Sequence, residues 1–353
     1  MISKECFTEG WIERVSSEMK YPDKNLIEKV IRAFSLVELL VESGCPFVWK
    51  GGTSLMLILG QQLHRLSIDV DIICPPGTDI TKYLEKYEDY GFVSKEEEYR
   101  EQRSTDIPKS HSKFHYQIAY KSGMNRNEYI LLDVLYEDNH YKKVNSLRME
   151  NPFVKWDGEP VKVNVPSTDD ILGDKLTAFA PNTSGIPYFK NGQNRNLEII
   201  KQLYDVGRLF DAATDLDCIK TAYHRIVPVE MSYRSLPIDA VLALDDTIAT
   251  AKCLATRGKA GNGDFEALQN GINRLKSFMY LGKYYIEQAS ADAAKAAYLA
   301  AVIKHNLSAI EKYDNGKSLL KTEKKLPAII TKMLMSIPEA YFYWSKYTEI
   351  EDF

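Results

Sequence analysis

Apolar residues at Leu26, Ile27, Val30, Ile31, Phe34, Val37, Leu40 and Val41 recur at helical spacing with charges between them, and predict a helix over residues 24–43. Gly44 stops it, and Pro46-Phe47-Val48-Trp49 reads as a short buried strand. Gly51-Gly52 breaks that strand, and residues 53–59 read as a second helix, capped by Thr53 or Ser54. Over residues 67–74 the period changes to two: Ile68, Val70 and Ile72 share one face and Asp69 and Asp71 the other, which is strand periodicity. Residues 78–90 look helical, with Ile80, Tyr83, Leu84 and Tyr87 on one face, and strands are expected over 114–120, 128–136 and 161–165.

After Pro166 the character changes. Ser167-Thr168-Asp169-Asp170 has the S-x-x-D form of a capped helix start. Helices are expected over residues 170–179, 197–210, 237–256, 265–288, 291–313 and 326–347, with the Gly/Asn/Pro-rich segment 181–196 as a loop. At 353 residues the chain exceeds one compact core. The pattern therefore predicts a mixed α/β domain over residues 1–166 and a helical domain over 167–353, with no internal repeat.

Composition mainly removes classes. The apolar runs are only strand-length, so no membrane span is expected. The first residues show no basic segment followed by an apolar stretch, so no secretory signal is expected either. Five dispersed cysteines without C-x-x-C spacing argue against disulfides and against a cysteine-built zinc site, and point to a reducing cytoplasm. A net charge of −4 gives no global sign of nucleic-acid binding but leaves room for a local basic face.

Asp69 and Asp71 carry the strongest chemical signal. Two carboxylates at i and i+2 on a strand point the same way and repel, an arrangement that a cation relieves. Hard divalent ions take oxygen ligands and keep positions open for phosphate oxygens. Taken alone, the pair also fits a solvated edge strand. Upstream, the strand–Gly51-Gly52–helix turn supplies what a phosphate needs: glycines that allow close backbone approach, and a helix N-terminus with N–H groups and a favourable dipole. Asp133, inside the apolar run Ile130-Leu131-Leu132-Asp133-Val134-Leu135, is a candidate third acid, or else a solvated residue on one face of its strand.

Lys50-Gly51-Gly52-Thr53-Ser54-Leu55 followed by Arg65-Leu66-Ser67-Ile68-Asp69-Val70-Asp71 resembles the G-G-T-x-L … R-x-S-x-D-[ILV]-D signature of the AbiEii-type toxin nucleotidyltransferases. These belong to the DNA polymerase β-like superfamily and serve type IV toxin–antitoxin and abortive-infection systems, in phage defence. Asp174-Lys175-Leu176 and Lys201-Gln202-Leu203-Tyr204-Asp205-Val206 resemble the family's later motifs, so the likeness spans about residues 45–211. The family often has Lys-Asp where this chain has Lys201-Gln202, and the 181–196 loop looks longer than usual.

The resemblance implies an α+β, bi-lobed fold: a polymerase-β-like mixed sheet with flanking helices, then a helical domain closing the active-site cleft. It implies that Asp69, Asp71 and Asp133 bind Mg²⁺ or Mn²⁺, with Asp133 also helping to deprotonate the attacking hydroxyl. Gly51, Gly52, Thr53 and Ser54 would hold the triphosphate of an NTP, with Arg65 and Lys201 also assigned to the nucleotide. Lys175 would neutralise phosphate charge and Asp205 would sit across the cleft. The implied acceptor is the 3′ end of tRNA or another RNA, and the implied protein partner a cognate antitoxin. Two further readings remain: an antibiotic nucleotidyltransferase acting on a small hydroxylated molecule, and a non-catalytic nucleotide- or partner-binding module.

Other signals are weaker. His111 and His115 have helical zinc-ligand spacing, but the stretch reads as a strand, which separates the imidazoles. Lys312, Lys317, Lys321, Lys324 and Lys325 could join Lys190, Arg195, Lys201 and Arg208 in an RNA-binding face, though Asp314 and Glu323 make the C-terminal stretch look like an ordinary mixed surface. No P-loop motif and no G-x-S-x-G is present.

Overall fold

A computed structural model describes residues 1–97, 109–119, 128–316, 319 and 322–353. The chain divides into two compact units, Met1–Ser167 with Phe278–Gly282, and Thr168–Ser277 with Lys283–Phe353. No helix among the described residues is long and apolar enough to cross a membrane.

The first unit opens with helices α1 (Glu9–Met19) and α2 (Lys24–Glu42), the latter capped by Asp23, whose carboxylate accepts from Leu26 N–H. Its sheet is built from β1 (Val48–Lys50), β2 (Val70–Cys74), β3 (Ser94–Glu97), β4 (Lys109–Tyr116) and β5 (Glu128–Tyr136) in the order β1-β2-β5-β4-β3. Only β2 and β5 run parallel, so the sheet is mixed. Helix α3 (Gly51–Ile58) follows β1 directly, and a separate antiparallel pair joins β6 (Val144–Arg148) to β7 (Lys162–Pro166).

Along the central strands burial alternates. Val70, Ile72, Leu132, Val134, Ser112 and Phe114 are buried, while Asp71, Asp133 and His111 on the opposite face are half-buried. The apolar pattern of α2 hides an exception: Glu28, Arg32 and Glu38 are also buried. Glu28 pairs with Arg32 at 3.3 Å and accepts from Ala119 N–H, while Arg32 donates to the carbonyls of Gly91 and Gln117. These charges clamp the helix to backbone, which satisfies buried polar groups.

The second unit comprises α4 (Thr168–Ala178), the short hairpin β8 (Phe189–Lys190) and β9 (Gln193–Asn194), α5 (Asn196–Ala212), α6 (Leu216–Tyr233), α7 (Ala240–Ala255), α8 (Phe265–Leu275), α9 (Ile286–Lys304), α10 (Ala328–Ser336) and α11 (Pro338–Ile350). Helix α9 is the hub, buried all round, because its run of alanines lets neighbouring helices approach closely. Two charges inside it are fully employed. Asp292 accepts from Arg208 at 2.7 Å and Tyr284 at 3.0 Å, and Lys295 pairs with Asp211 and Glu339, each at 2.8 Å. At the end of α11, Glu351 pairs with Lys304 and accepts from His305 and Tyr347. Burial raises its pKa, but these donors outweigh burial and hold it down at about 2, from an ordinary 4.5. A depressed carboxylate contributes stability above its unfolded pKa and loses it below, so acid unfolding monitored by circular dichroism should show less loss of stability between pH 4.5 and about 2 in Glu351→Gln than in the wild type.

Several sequence expectations are corrected. Residues 78–90 form two 3-10 turns, Ile80–Leu84 and Tyr87–Tyr90, and the second ends at Gly91 with φ +83°. The strand over 114–120 lies earlier, at Lys109–Tyr116, and residue 120 falls outside the described residues. The strand over 67–74 starts only at Val70, leaving Asp69 exposed just before it. The helix over 265–288 breaks after Leu275 because Phe278–Gly282 pairs with the first unit: Phe278 O accepts from Leu66 N–H at 2.8 Å, and His64 O from Tyr280 N–H at 2.9 Å. Proline at 338 divides the helix over 326–347 into α10 and α11. The helix over 291–313 is shifted to Ile286–Lys304. Beyond it, Lys312 donates to the carbonyls of Phe210, Asp211 and Ala213 and so closes the C-terminus of α5. Lys317 and Lys321 lie outside the described residues.

Candidate active site

Four strands of the first unit bring Lys50, Asp71, Asp133 and His111 into one row. Lys50 is the register partner of Asp71, Asp71 of Asp133, and Asp133 of His111. Directly opposed residues point to the same side of a sheet, on strands roughly 5 Å apart. Two carboxylates therefore stand side by side on the polar face, with a cation-bearing residue on one flank and an imidazole on the other. His111 Nδ1 lies 2.5 Å from Asp133 Oδ1. That bond fixes one oxygen of Asp133 and leaves the second for other work.

The glycine turn is built around Asp71. Gly51 has φ +78°, and a Cβ there would overlap the Asp71 carboxylate. A Cβ at Gly52 would lie 2.7 Å from Ser67 Oγ and 2.8 Å from Arg65 Nη2. Both glycines are thus required by close approach, and Gly51 by its backbone conformation as well. Gly51→Ala should cost about 1–2 kcal/mol from the left-handed backbone alone, and it should displace Asp71 and lower transferase activity at least tenfold. Urea unfolding together with an initial-rate assay checks both parts.

The hydroxyls expected to cap α3 do not do so. The N-cap position is Lys50, and no side chain caps the helix. Thr53 Oγ1 donates to Asp69 O at 2.6 Å, and Ser54 Oγ donates to Gly51 O at 3.0 Å. Both residues are buried. Thr53 ties the turn to the segment carrying Asp69, and Ser54 tightens the first turn of the helix. What the turn offers an anion is backbone N–H and the helix dipole. Arg65, expected at the nucleotide, is only 1% exposed and sits beneath Gly52, where its guanidinium donates to Leu66 O at 3.2 Å.

In the second unit, Lys175 on α4 pairs with Asp205 on α5 at 3.2 Å and donates to Gln202 Oε1 at 2.9 Å. Both ions are buried, Asp205 completely. Gln202, where the family often has Asp, thus holds the lysine by a neutral hydrogen bond. Lys201, its neighbour, is half-buried. Asp169 and Asp170, in the S-x-x-D run at the start of α4, also reach the start of the α6 region: Asp169 accepts from the N–H groups of Thr214 and Asp215, Asp170 from Cys218 Sγ.

The donor set Asp69, Asp71 and Asp133 offers carboxylate oxygens only, which suits a hard divalent cation and not zinc or copper. Among the described residues no three of His, Cys, Asp and Glu are gathered closely enough to hold a metal ion. His111 and His115 share a face of β4 but do not converge: His111 turns to Asp133, and His115 lies 3.3 Å from Glu96. Sequence reasoning missed His111 and Lys50 as partners of the acids. Period-two alternation would have put His111 on a polar face, but only register shows that it opposes Asp133.

The family model of the nucleotidyl transferase AbiEii toxin of type IV toxin–antitoxin systems matches residues 36–263. The chain belongs to the AbiEii nucleotidyltransferase toxin family. The match takes in Gly51, Asp69, Asp71, Asp133, Lys175 and Asp205. No curated protein matches the chain. Among solved structures, MenT4, a nucleotidyltransferase toxin from Mycobacterium tuberculosis H37Rv, is similar at 14% identity and a TM-score of 0.43, over 83% of this chain and 99% of that one. The AbiEii membership gives the chemistry its class: a nucleotidyltransferase acting as a toxin.

Proposed function

We propose that this AbiEii protein transfers an NMP group from an NTP, with Mg²⁺ or Mn²⁺, to an RNA hydroxyl, the 3′ end of tRNA. The observation that carries the reading is the register Lys50–Asp71–Asp133–His111 beside a glycine turn that leaves room only for the Asp71 carboxylate. Asp69, Asp71 and Asp133 would hold the divalent ion, which when bound would supply positive charge to the triphosphate and favour pyrophosphate departure. The N–H groups at the start of α3 take phosphate oxygens, with the turn shaped from beneath by Arg65 and Ser67. Asp133, one oxygen held by His111, takes the proton of the attacking hydroxyl. The acceptor oxygen then bonds to the α-phosphorus as its bond to the bridging oxygen breaks, and pyrophosphate leaves with the electron pair. Lys175, oriented by Asp205 and Gln202, neutralises phosphate charge. A cognate antitoxin restrains the enzyme.

Incubation with each NTP radiolabelled at the α-phosphate, Mg²⁺ and total tRNA tests the acceptor. Label on tRNA with the wild type, and none with Asp69→Ala/Asp71→Ala, is the expected result. Label on a small molecule or on protein and none on RNA would move the acceptor to another class.

A further inference from the structure

Tyr188 and Phe189 are chain neighbours with opposite surroundings. The Tyr188 hydroxyl accepts from Asp264 N–H at 3.1 Å, and burial pushes its pKa up to about 12. Phe189 is 64% exposed. It stands on the β8–β9 hairpin, whose central residues Asn191 and Gly192 have φ +53° and +73°. That is the two-residue left-handed turn that closes a hairpin most tightly. The pairs Phe189↔Asn194 and Lys190↔Gln193 and a bond from Arg195 N–H to Tyr188 O complete the ladder. The hairpin therefore presents a large aromatic ring to water on a well-determined backbone, where core packing gives it no purpose.

Its surroundings are cationic. Residues 186–197 contain Lys190 and Arg195 and no acidic residue; Glu198, next in the chain, lies 3.9 Å from Arg195, and both side chains are about one-third exposed. The bond from Asp264 N–H to Tyr188 ties the base of the hairpin to the glycine-rich loop over residues 256–264, which carries Arg257 and Lys259. The hairpin runs directly into α5, placing Lys201 roughly 9 Å along the helix axis from Arg195, beside the Gln202–Lys175–Asp205 cluster. Arg208, the other cation expected on this face, is consumed by Asp292.

We infer that the hairpin and the 256–264 loop form a binding platform for the unpaired 3′ end of an RNA acceptor. Phe189 stacks on a base, while Lys190, Arg195, Arg257 and Lys259 meet backbone phosphates. This rests on the RNA-acceptor reading above. A lone ring surrounded by cations and amides is how proteins hold single strands without reading their sequence. A protein partner would want a wider apolar centre than one ring supplies.

The test measures binding of total tRNA to the full-length protein, by fluorescence anisotropy without NTP, for wild type, Phe189→Ala, Phe189→Leu and Phe189→Trp. Phe189 is exposed, so unfolding midpoints should match the wild type. Phe189→Ala and Phe189→Leu are expected to bind about tenfold or more weakly, Phe189→Trp close to wild type, and NTP affinity measured without RNA should stay unchanged in all four. Equal tRNA affinity in Phe189→Ala, or equal rescue by Leu and Trp, overturns the stacking platform alone. Unchanged RNA binding with loss of neutralisation by the antitoxin would assign the hairpin to that protein instead. A wild type that binds no RNA overturns the platform together with the acceptor reading.

Discussion

Asp71→Asn should lower the transfer rate by about 10³-fold or more, roughly 4 kcal/mol in the barrier, while stability stays within about 1 kcal/mol of wild type. The substitution keeps shape and volume but removes a negative charge from a carboxylate pair on adjacent strands, Asp71 and Asp133. An amide cannot supply the charge that a divalent cation needs. Like charges directly opposed in a sheet cost a few tenths of a kcal/mol to about 1, so relieving them offsets part of whatever contact Asp71 otherwise makes. Single-turnover kinetics and urea unfolding of the same preparation measure the two effects separately. A large loss of both would mean that Asp71 is mainly a structural residue. Asp133→Asn should resemble Asp71→Asn in rate, since the two share one row.

The second large effect is on folding. Asp205→Ala leaves the Lys175 ammonium buried on α4 without its counter-ion, and removing one partner of a buried pair costs about 3–5 kcal/mol. Gln202 alone cannot replace the charge. The double variant Lys175→Met/Asp205→Leu should recover much of the lost stability, because apolar groups of similar volume often substitute for a buried ion pair without penalty. It should nevertheless remain inactive. Chemical denaturation midpoints and an activity assay on the single and double variants separate the roles: recovery of folding without recovery of transfer is the outcome expected of a lysine that serves the phosphates. Recovery of both would make the pair a folding device only.

Much of the fold was legible because burial is periodic. The helix read over residues 24–43 appears as Lys24–Glu42, and the strand over 128–136 as Glu128–Tyr136, each with its apolar face buried. What failed was local pattern overridden by distant backbone. Residues 278–282 continue a helical apolar rhythm, yet their N–H and carbonyl groups pair with His64 and Leu66, far away in sequence. Helix α6 was not foreseen, since Pro228 and a mixed face blur its period. The D-x-D pair and glycine turn could be read as motifs, but the row they enter depends on strand register. Nothing local tells that Lys50 and His111 flank Asp71 and Asp133, because one residue of slip would send each to the other face. Likewise, Thr53 and Ser54 looked like caps by residue type, and only the fold shows their hydroxyls turned to the carbonyls of Asp69 and Gly51.

The central claim is that the carboxylate row transfers a nucleotidyl group. It is tested most directly by parallel reactions with an NTP labelled at the α- or the γ-phosphate, with and without Mg²⁺, for wild type and Asp71→Asn. The account predicts α-label on the acceptor and γ-label in pyrophosphate, only with the ion and only with the wild type. Transfer of γ-label to the acceptor, or undiminished α-label transfer by Asp71→Asn, would contradict it.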